Sequence, residues 1–334
     1  MAAPRVTVLT TLYNKGPFVE EAVRSVLANS FTDFELLIVD DASTDDGLNR
    51  VRNIHDPRIR ILTSPTNTGR AATANRGFDA AQGEFIAVLD ADDVAHPDRL
   101  AKQVAYLDAH PEIGAVGSYA RVTGERDRVA TWPLTDEEAH GLLLFEDPLL
   151  YGSAMFRRSV IHQGALRCDE HWGWPGMDYL FLLDLVRTTR VATIPEALTS
   201  YRIGAHNFRY GRDAAEDTTR IMREAFLHFG IEANEDDVRA HLFLLRRVGR
   251  DPKANELRAV FAWVAKLRAF NQRERTFPPK VLDARLEAEL AHWYYVLADS
   301  DASLAWLHLR LAGGWPGGRL LYLLKSRVRS LLRR

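Results

Sequence analysis

Short apolar runs alternate with longer amphipathic ones over the first two-thirds of the chain. Val6–Leu12 (VTVLTTL), Phe34–Val39 (FELLIV), Ile59–Leu62 and Phe85–Leu89 (FIAVL) have the length and β-branched character of buried strands. Between them, Pro17 opens a stretch in which Phe18, Val19, Ala22, Val23, Val26 and Leu27 recur at helical spacing. Leu48–Ile54 and Ala71–Ala81 read as further helices, the second ended by Gly83. Strand and helix alternating through short connections predict an α/β domain, a doubly wound and mostly parallel sheet with right-handed crossovers.

Further along, Pro97–Asp98 starts a helix that runs to 109, and His110–Pro111 breaks the chain. Ile113–Val122 predicts a pair of strands, Tyr151–Arg158 (YGSAMFRR) a strand with a basic exit, and Asp178–Val186 an apolar helix. Alternation ends near Tyr201–Asn207. From Asp213 onward only helical periodicity remains, broken at Gly230, Asp251–Pro252, Pro278–Pro279 and Trp315–Pro316. The pattern predicts an α/β domain over 1–212 and a helical C-terminal extension over 213–334.

Composition narrows the function classes. The 334 residues are 46% hydrophobic and 26% charged, as in ordinary globular chains. A net charge of −2 argues against a nucleic-acid partner. Cys168, the single cysteine, excludes an internal disulfide and fits a reducing compartment; with no metal-ligand pattern around it, an inert thiol is expected. The first residues enter a strand directly, without the pattern of a secretory leader, and no apolar run is long enough to span a bilayer. The expectation is a cytoplasmic, non-transmembrane protein.

Candidate chemistry gathers where strands end. The run EFIAVLDADD closes with Asp90, Asp92 and Asp93, at the carboxyl end of a strand and therefore where open α/β sheets bind ligands. Carboxylates so close repel one another unless a cation, a proton or hydrogen-bond donors compensate them. Oxygen-only ligation suits Mg²⁺ or Mn²⁺ shared with substrate phosphates. Taken alone, D-x-D-D is more often a solvated acidic turn. A second acidic loop, DDASTDDG at 40–47, follows another strand; its carboxylates can accept a nucleobase N–H and its hydroxyls can bond ribose. It makes a poor calcium loop, because Gly47 is one place late and no terminal Glu follows. G-x-G-x-x-G after the first strand, the P-loop, G-x-S-x-G and H-E-x-x-H are all absent.

The ordered set VTVLTTLYN, FELLIVDDASTD, NTGRAATANRG, GEFIAVLDADDVAHPDRL and GMDYLFLLDLV resembles a family 2 glycosyltransferase of the GT-A fold, over about residues 4 to 207. The resemblance implies an inverting, metal-dependent transfer of a sugar from a nucleotide-sugar donor, such as a UDP-sugar, to a saccharide or lipid-linked acceptor. It implies donor binding by Thr11, Tyr13, Asn14, Asp40, Asp41, Asn67, Gly69, Arg70, Asn75 and the run Asp90, Ala91 and Asp92. It implies Mn²⁺ or Mg²⁺ on Asp92 and Asp93 with help from His206, and a catalytic base at Asp178. The family's Arg-Asn pair in the helix after N-x-G is Ala74–Asn75 here, which leaves Arg70 or Arg76 to supply the charge.

Ordinary readings stand beside these. Asp178 could simply stabilise the first turn of its helix, and His206 could be a loop histidine. Trp172 and Trp174, in a Gly/Pro-rich loop, are core residues or sugar platforms. Arg157 is a strand exit or a contact for an anionic acceptor. A nucleotidyltransferase making nucleotide sugars would need a Gly-rich phosphate loop after the first strand. A non-catalytic binding protein would be marked by loss of Asp178 or of the acid triplet.

The C-terminal segment carries a different signal. From Ala302 to Arg334 there are seven Lys or Arg and no Asp or Glu. On a helical wheel of 319–334, Leu320, Leu321, Leu324, Val328, Leu331 and Leu332 fall within roughly 120°, with Leu323 outside. Such a helix can lie in an anionic membrane interface or pack on its own domain with a solvated basic face. The glycines flanking Trp315–Pro316 would let it swing away from the body.

Overall fold

Val6–Leu12 is buried at every position except Thr11, because a neighbour pairs on each edge and helices cover the faces. The computed structural model describes residues 3–125, 127–173, 175–205, 207, 211–248, 253–314 and 317–332. They fall into two compact units, Met1–Arg212 and Asp213–Arg334.

The first unit opens with β1 (Val6–Leu12), α1 (Gly16–Leu27), β2 (Phe34–Asp40), α2 (Gly47–Arg52), β3 (Ile59–Thr63), α3 (Arg70–Ala80) and β4 (Phe85–Val88). It continues with β5 (Val94–Ala95), α4 (Arg99–Ala109), β6 (Ile113–Gly124), β7 (Arg128–Ala130), α5 (Asp136–Gly141) and a 3-10 turn at Tyr151–Ser153. Then come β8 (Met155–Arg157), α6 (Arg158–Gln163), α7 (Met177–Thr188) and β9 (Arg190–Ile203).

The sheet order is β3-β2-β1-β4-β8-β6-β9-β5, with β7 pairing antiparallel to the end of β6 off this path. The first four strands in this order are parallel, so their carboxyl ends open on one edge. Beyond them the sheet is mixed: β8 runs antiparallel to β4 and β6, β9 parallel to β6, and β5 antiparallel to β9. Val19, Val23 and Val26 of α1 pack with Val6, Val8, Leu36 and Ile38 in the core, which is what the helical spacing of those valines requires.

Two expectations change, and one strand is added. Ile113–Val122 is one long strand rather than a pair: pairing with β9 along its whole length carries the backbone through Gly114 and Gly117 without a turn. Tyr151–Arg158 divides into a 3-10 turn, a three-residue strand and a helix start. The stretch 190–203 is a full strand whose register skips between Ile194 and Ala197, leaving Pro195 and Glu196 out of the ladder. Proline cannot donate to a ladder, so the strand tolerates it only at that bulge.

The second unit is helical: α8 (Ala214–His228), α9 (Glu235–Leu244), α10 (Ala254–Glu274), α11 (Pro279–Ser300), α12 (Ala302–Leu311) and α13 (Gly317–Leu332). Asp213 caps α8 by accepting from the Ala215 and Glu216 amides, and Asn234 caps α9 through a capping box. Trp263 is fully buried and donates to His241 Nδ1 at 3.1 Å, so its one polar atom is satisfied. Among the described residues, no helix is long and apolar enough to cross a membrane.

Candidate active site

The β1–α1 loop turns through Asn14, whose φ of 52° lies in the left-handed region that asparagine tolerates. Its Oδ1 accepts from the Thr44 and Asp45 amides at 2.8 and 3.3 Å, and its own amide donates to Ser43 Oγ at 3.1 Å. Asn14 therefore ties the first loop to the DDASTDDG loop. Asp45 adds to the join, accepting from the Gly16 amide at 2.7 Å.

At the end of β2, Asp41 receives the Thr68 amide and hydroxyl on Oδ1, both at 2.8 Å, and the Gly69 amide on Oδ2 at 2.9 Å. These bonds fix the start of α3, where Gly69 has a φ of 90° and Arg70 follows. Asn67 donates to the Asp41 carbonyl at 3.3 Å. Asp40 receives one weak bond, from the Ser43 amide at 3.3 Å, and its Oδ1 has no partner. Tyr13 is exposed and Thr11 half-buried at the same edge.

The β4 acids lie at the centre. Ala91 is buried, and the Asp93 amide donates back to the Asp90 carbonyl at 3.1 Å, which closes the turn. Asp92 accepts from Lys15 Nζ at 2.6 Å, and Asp93 Oδ1 accepts from the Arg202 amide at 2.9 Å. Arg202 also donates through Nε to the Asp92 carbonyl at 3.0 Å, so the end of β9 clamps the acidic turn. Asp93 Oδ2 is buried without a partner. Beneath the turn, Arg99 is 1% exposed; it donates to the Val88 carbonyl at 2.6 Å and to Gln103 at 3.1 Å.

The electrostatics follow from this crowding. Burial, reinforced by Asp92 and Asp178 and opposed by Arg70 and Lys15, pushes Asp90 up to about 6. Burial and then Asp90 hold Asp93 well above the usual carboxylate range. Burial lowers Arg99 to about 10 against the attraction of Asp93 and Asp90. Carboxylates in this state are held together at the cost of their charge, so a further cation would be favoured there.

Asp178 begins α7 behind Gly176, whose φ is 94°, and its Oδ1 is buried without a partner. Its charge is felt at Asp90, Tyr151 and Cys168, which places it on the same side of the acid cluster. Gly152 lies close above the acids: a Cβ built there would sit 3.1 Å from Asp90 Oδ2 and 3.6 Å from Asp93 Oδ2. The Cys168 thiol is raised to about 12 by burial, as expected of an inert cysteine.

Several sequence-predicted residues take other roles. Asn75 spends its whole amide on the 168–170 loop, with Oδ1 on the Cys168 amide and Nδ2 on the Cys168 carbonyl and Glu170. It is a staple and has no donor left for a ligand. Arg157 pairs with Phe85 at the opposite end of β4 from the acids, and its guanidinium donates to the Ile113, Leu107 and His110 carbonyls. It closes the exit of α4, and an acceptor role at this site is excluded by its position. Arg76 donates to Ser64 and the Thr63 carbonyl, which leaves Arg70 as the arginine whose charge reaches Asp90. Trp172 donates to the Pro175 carbonyl at 3.1 Å within its loop. Trp174 and His206 lie outside the described residues. Among the described residues no group of three or more His, Cys, Asp or Glu is arranged to hold a metal ion. Lys15, Arg99, Gly152 and Arg202 were missed in the sequence; Lys15, Gly152 and Arg202 are distant in the chain from the acids they meet, with only the Y-N-K-G turn after β1 as a local hint, while Arg99 follows the acids within the same motif and gave no sign that it would be buried beneath them.

The profile of the family described as Glycosyl transferase family 2 matches residues 7–164. An uncharacterized glycosyltransferase of Haemophilus influenzae is 34% identical over 208 residues, covering 61% of this chain and 81% of the relative. The succinoglycan biosynthesis protein ExoO of Rhizobium meliloti is 32% identical over 213 residues, covering 60% of this chain and 61% of ExoO. Among solved structures, S. aureus TarS 1-349 in complex with UDP-GlcNAc aligns with a TM-score of 0.59 at 16% identity, covering 85% of this chain and 92% of that one. That likeness shows a common fold.

Proposed function

The chain belongs to glycosyltransferase family 2, and from that premise we propose that it moves a sugar from a nucleoside-diphosphate sugar to a hydroxyl of a saccharide or lipid-linked acceptor, inverting the anomeric carbon. The observation that carries this reading is the Asp90–Asp93 turn at the carboxyl edge of the parallel strands, with Asp178, whose Oδ1 is buried without a partner, close enough for its charge to act on Asp90. A uridine diphosphate donor is favoured by the ligand of the TarS complex, and an acceptor in surface polysaccharide synthesis by ExoO.

In this reading Asp40 and Asp41 line the base pocket, Asp40 with an unfilled acceptor oxygen, and the Asn14 staple holds that loop open to the donor. Arg70, at the start of α3, faces the diphosphate side. Asp178 takes the proton of the acceptor hydroxyl as its oxygen forms the new bond to the anomeric carbon and the nucleoside diphosphate leaves with the old bonding pair. Trp172, in the loop that leads into α7, would offer an apolar face to the acceptor ring.

The buried, unpartnered Asp93 Oδ2 and the raised carboxyls of Asp90 and Asp93 fit a divalent cation. Asp92 and Asp93 would hold Mn²⁺ or Mg²⁺, which when bound neutralises charge on the departing diphosphate.

The reading is tested by following diphosphate release from a panel of nucleotide sugars with Mn²⁺ and candidate acceptors. Asp178→Asn keeps the shape and removes the base, so transfer should fall by roughly 10²–10⁴-fold while donor binding survives. Pyrophosphate as the released product, or retention of configuration at the new bond, overturns it.

A further inference from the structure

The last helix meets its own unit with the side that its sequence makes least apolar. Leu323 is 2% exposed and joins Tyr294, Leu297, Ala305 and Leu309 in a hydrophobic cluster. Around that contact the Tyr294 hydroxyl donates to the Arg319 carbonyl, and the Tyr322 and Ser326 hydroxyls donate to Asp299 at 2.8 and 2.7 Å. These bonds fix the rotation of α13 about its axis. At about 100° per residue, Leu321 and Leu324 then come round away from the docked side, with the half-buried Leu320 at its border. Leu321 and Leu324 are 52% and 54% exposed, and Lys325 beside them is exposed too. In the sequence the same strip continues through Val328, Leu331 and Leu332.

Leucines left in water on a helix that already has a buried anchor call for a second partner. The charge identifies its chemistry. In a chain of net charge −2, the last 33 residues carry seven cations and no carboxylate. An apolar strip bordered by Lys and Arg matches the acyl–headgroup boundary of an anionic bilayer, where leucines insert and cations meet phosphates. A second copy of the chain fits less well, because a two-fold pairing of the strip would set each basic border against its own image.

We propose that the Leu321–Leu324 strip of α13, bordered by Leu320, is a docking surface for an anionic lipid bilayer, used while Leu323 stays anchored in the second unit. Docking then needs no release of the helix, in contrast to the swing about Trp315–Pro316 that its glycines suggested. The proposal stands on the surface of the second unit alone and does not depend on which reaction the first unit performs.

Flotation of the full-length protein with phosphatidylglycerol–phosphatidylcholine vesicles, without substrates, tests it. The protein should float with the mixed vesicles, less so at high salt, and not with phosphatidylcholine alone. Leu321→Asp combined with Leu324→Asp should weaken partitioning on the order of a hundredfold. Both positions are exposed, so the melting temperature should stay within about 2 °C of the parent. Equal flotation of parent and double variant overturns the proposal, as does failure of the parent to float. A dimer in sedimentation velocity that the double variant abolishes would assign the strip to self-association and also overturn it.

Discussion

Lys15 Nζ lies 2.6 Å from Asp92 Oδ2, joining the loop after β1 to the acidic turn after β4. The lysine side chain is 22% exposed and the aspartate 8%, so water screens the pair only in part. The ammonium occupies one oxygen that a divalent cation would also seek. Lys15→Met removes this competitor and one charge from the cluster. Mn²⁺ should then support activity at a concentration several-fold lower, while the cation-free protein loses about 1 kcal/mol of stability. Metal titrations of the parent and Lys15→Met decide this; an unchanged or higher Mn²⁺ requirement would mean that Lys15 does not share the cation's place.

The acid cluster gives the first unit an unusual pH dependence. Burial and Asp92 raise Asp90 from 3.8 to about 6, so between those values the folded state binds more protons than the unfolded. Stability therefore declines as pH rises from about 4 to about 6, with a loss on the order of a few kcal/mol, and the raised Asp93 adds to the decline. Denaturant melts of the isolated first unit at pH 5 and 7.5, in chelator, should show the lower value at pH 7.5. Mn²⁺ at pH 7.5 should restore most of the difference.

The strands that position these acids were legible in the sequence because VTVLTTL, FELLIV and FIAVL are short apolar runs that only a two-sided burial explains. The strand over 190–203 was not, since Pro195 and Glu196 interrupt its pattern at a bulge that only its neighbour β6 reveals. The same division runs through the site. Asp90, Asp92, Asp93 and Asp178 sit in local motifs, whereas Lys15 and Arg202 are charges brought in from other elements by the sheet order. Asn75 misled because a motif position fixes where a side chain starts and says nothing of which amide it meets; here that amide belongs to Cys168.

The second unit responds to acid in the opposite sense. His308 is fully buried, its Nε2 is 2.8 Å from the Leu290 carbonyl, and its Nδ1 has no partner. Burial lowers its pKa from 6.5 to about 4, so between those values the unfolded state binds more protons than the folded. Its contribution is fully present above pH 6.5 and is lost as pH falls towards 4, a change on the order of 3 kcal/mol. Melts of a fragment covering 213–334 should therefore weaken steadily from pH 7 to 4.5. His308→Gln, which cannot titrate, should flatten that slope; a slope unchanged by the substitution would place the acid sensitivity elsewhere.

Gly152 gives the sharpest test of how closely the 3-10 turn approaches the acids. Its backbone is not in the left-handed region, so alanine meets no conformational barrier there. The added methyl would stand 3.1 Å from Asp90 Oδ2, closer than ordinary contact, and 3.6 Å from Asp93 Oδ2. One of two things must give: the turn lifts, or the Asp90 carboxylate rotates from its place beside Asp92. Either displaces the cluster by a few tenths of an ångström while leaving the core beneath it intact. Gly152→Ala should thus cost less than about 1 kcal/mol in stability and yet reduce turnover about tenfold, because catalysis is far more sensitive to misplacement than folding is. Steady-state kinetics paired with denaturant melts separate the two effects. A variant with full turnover would show that the turn moves freely, and that Gly152 stands over the acids without constraining them.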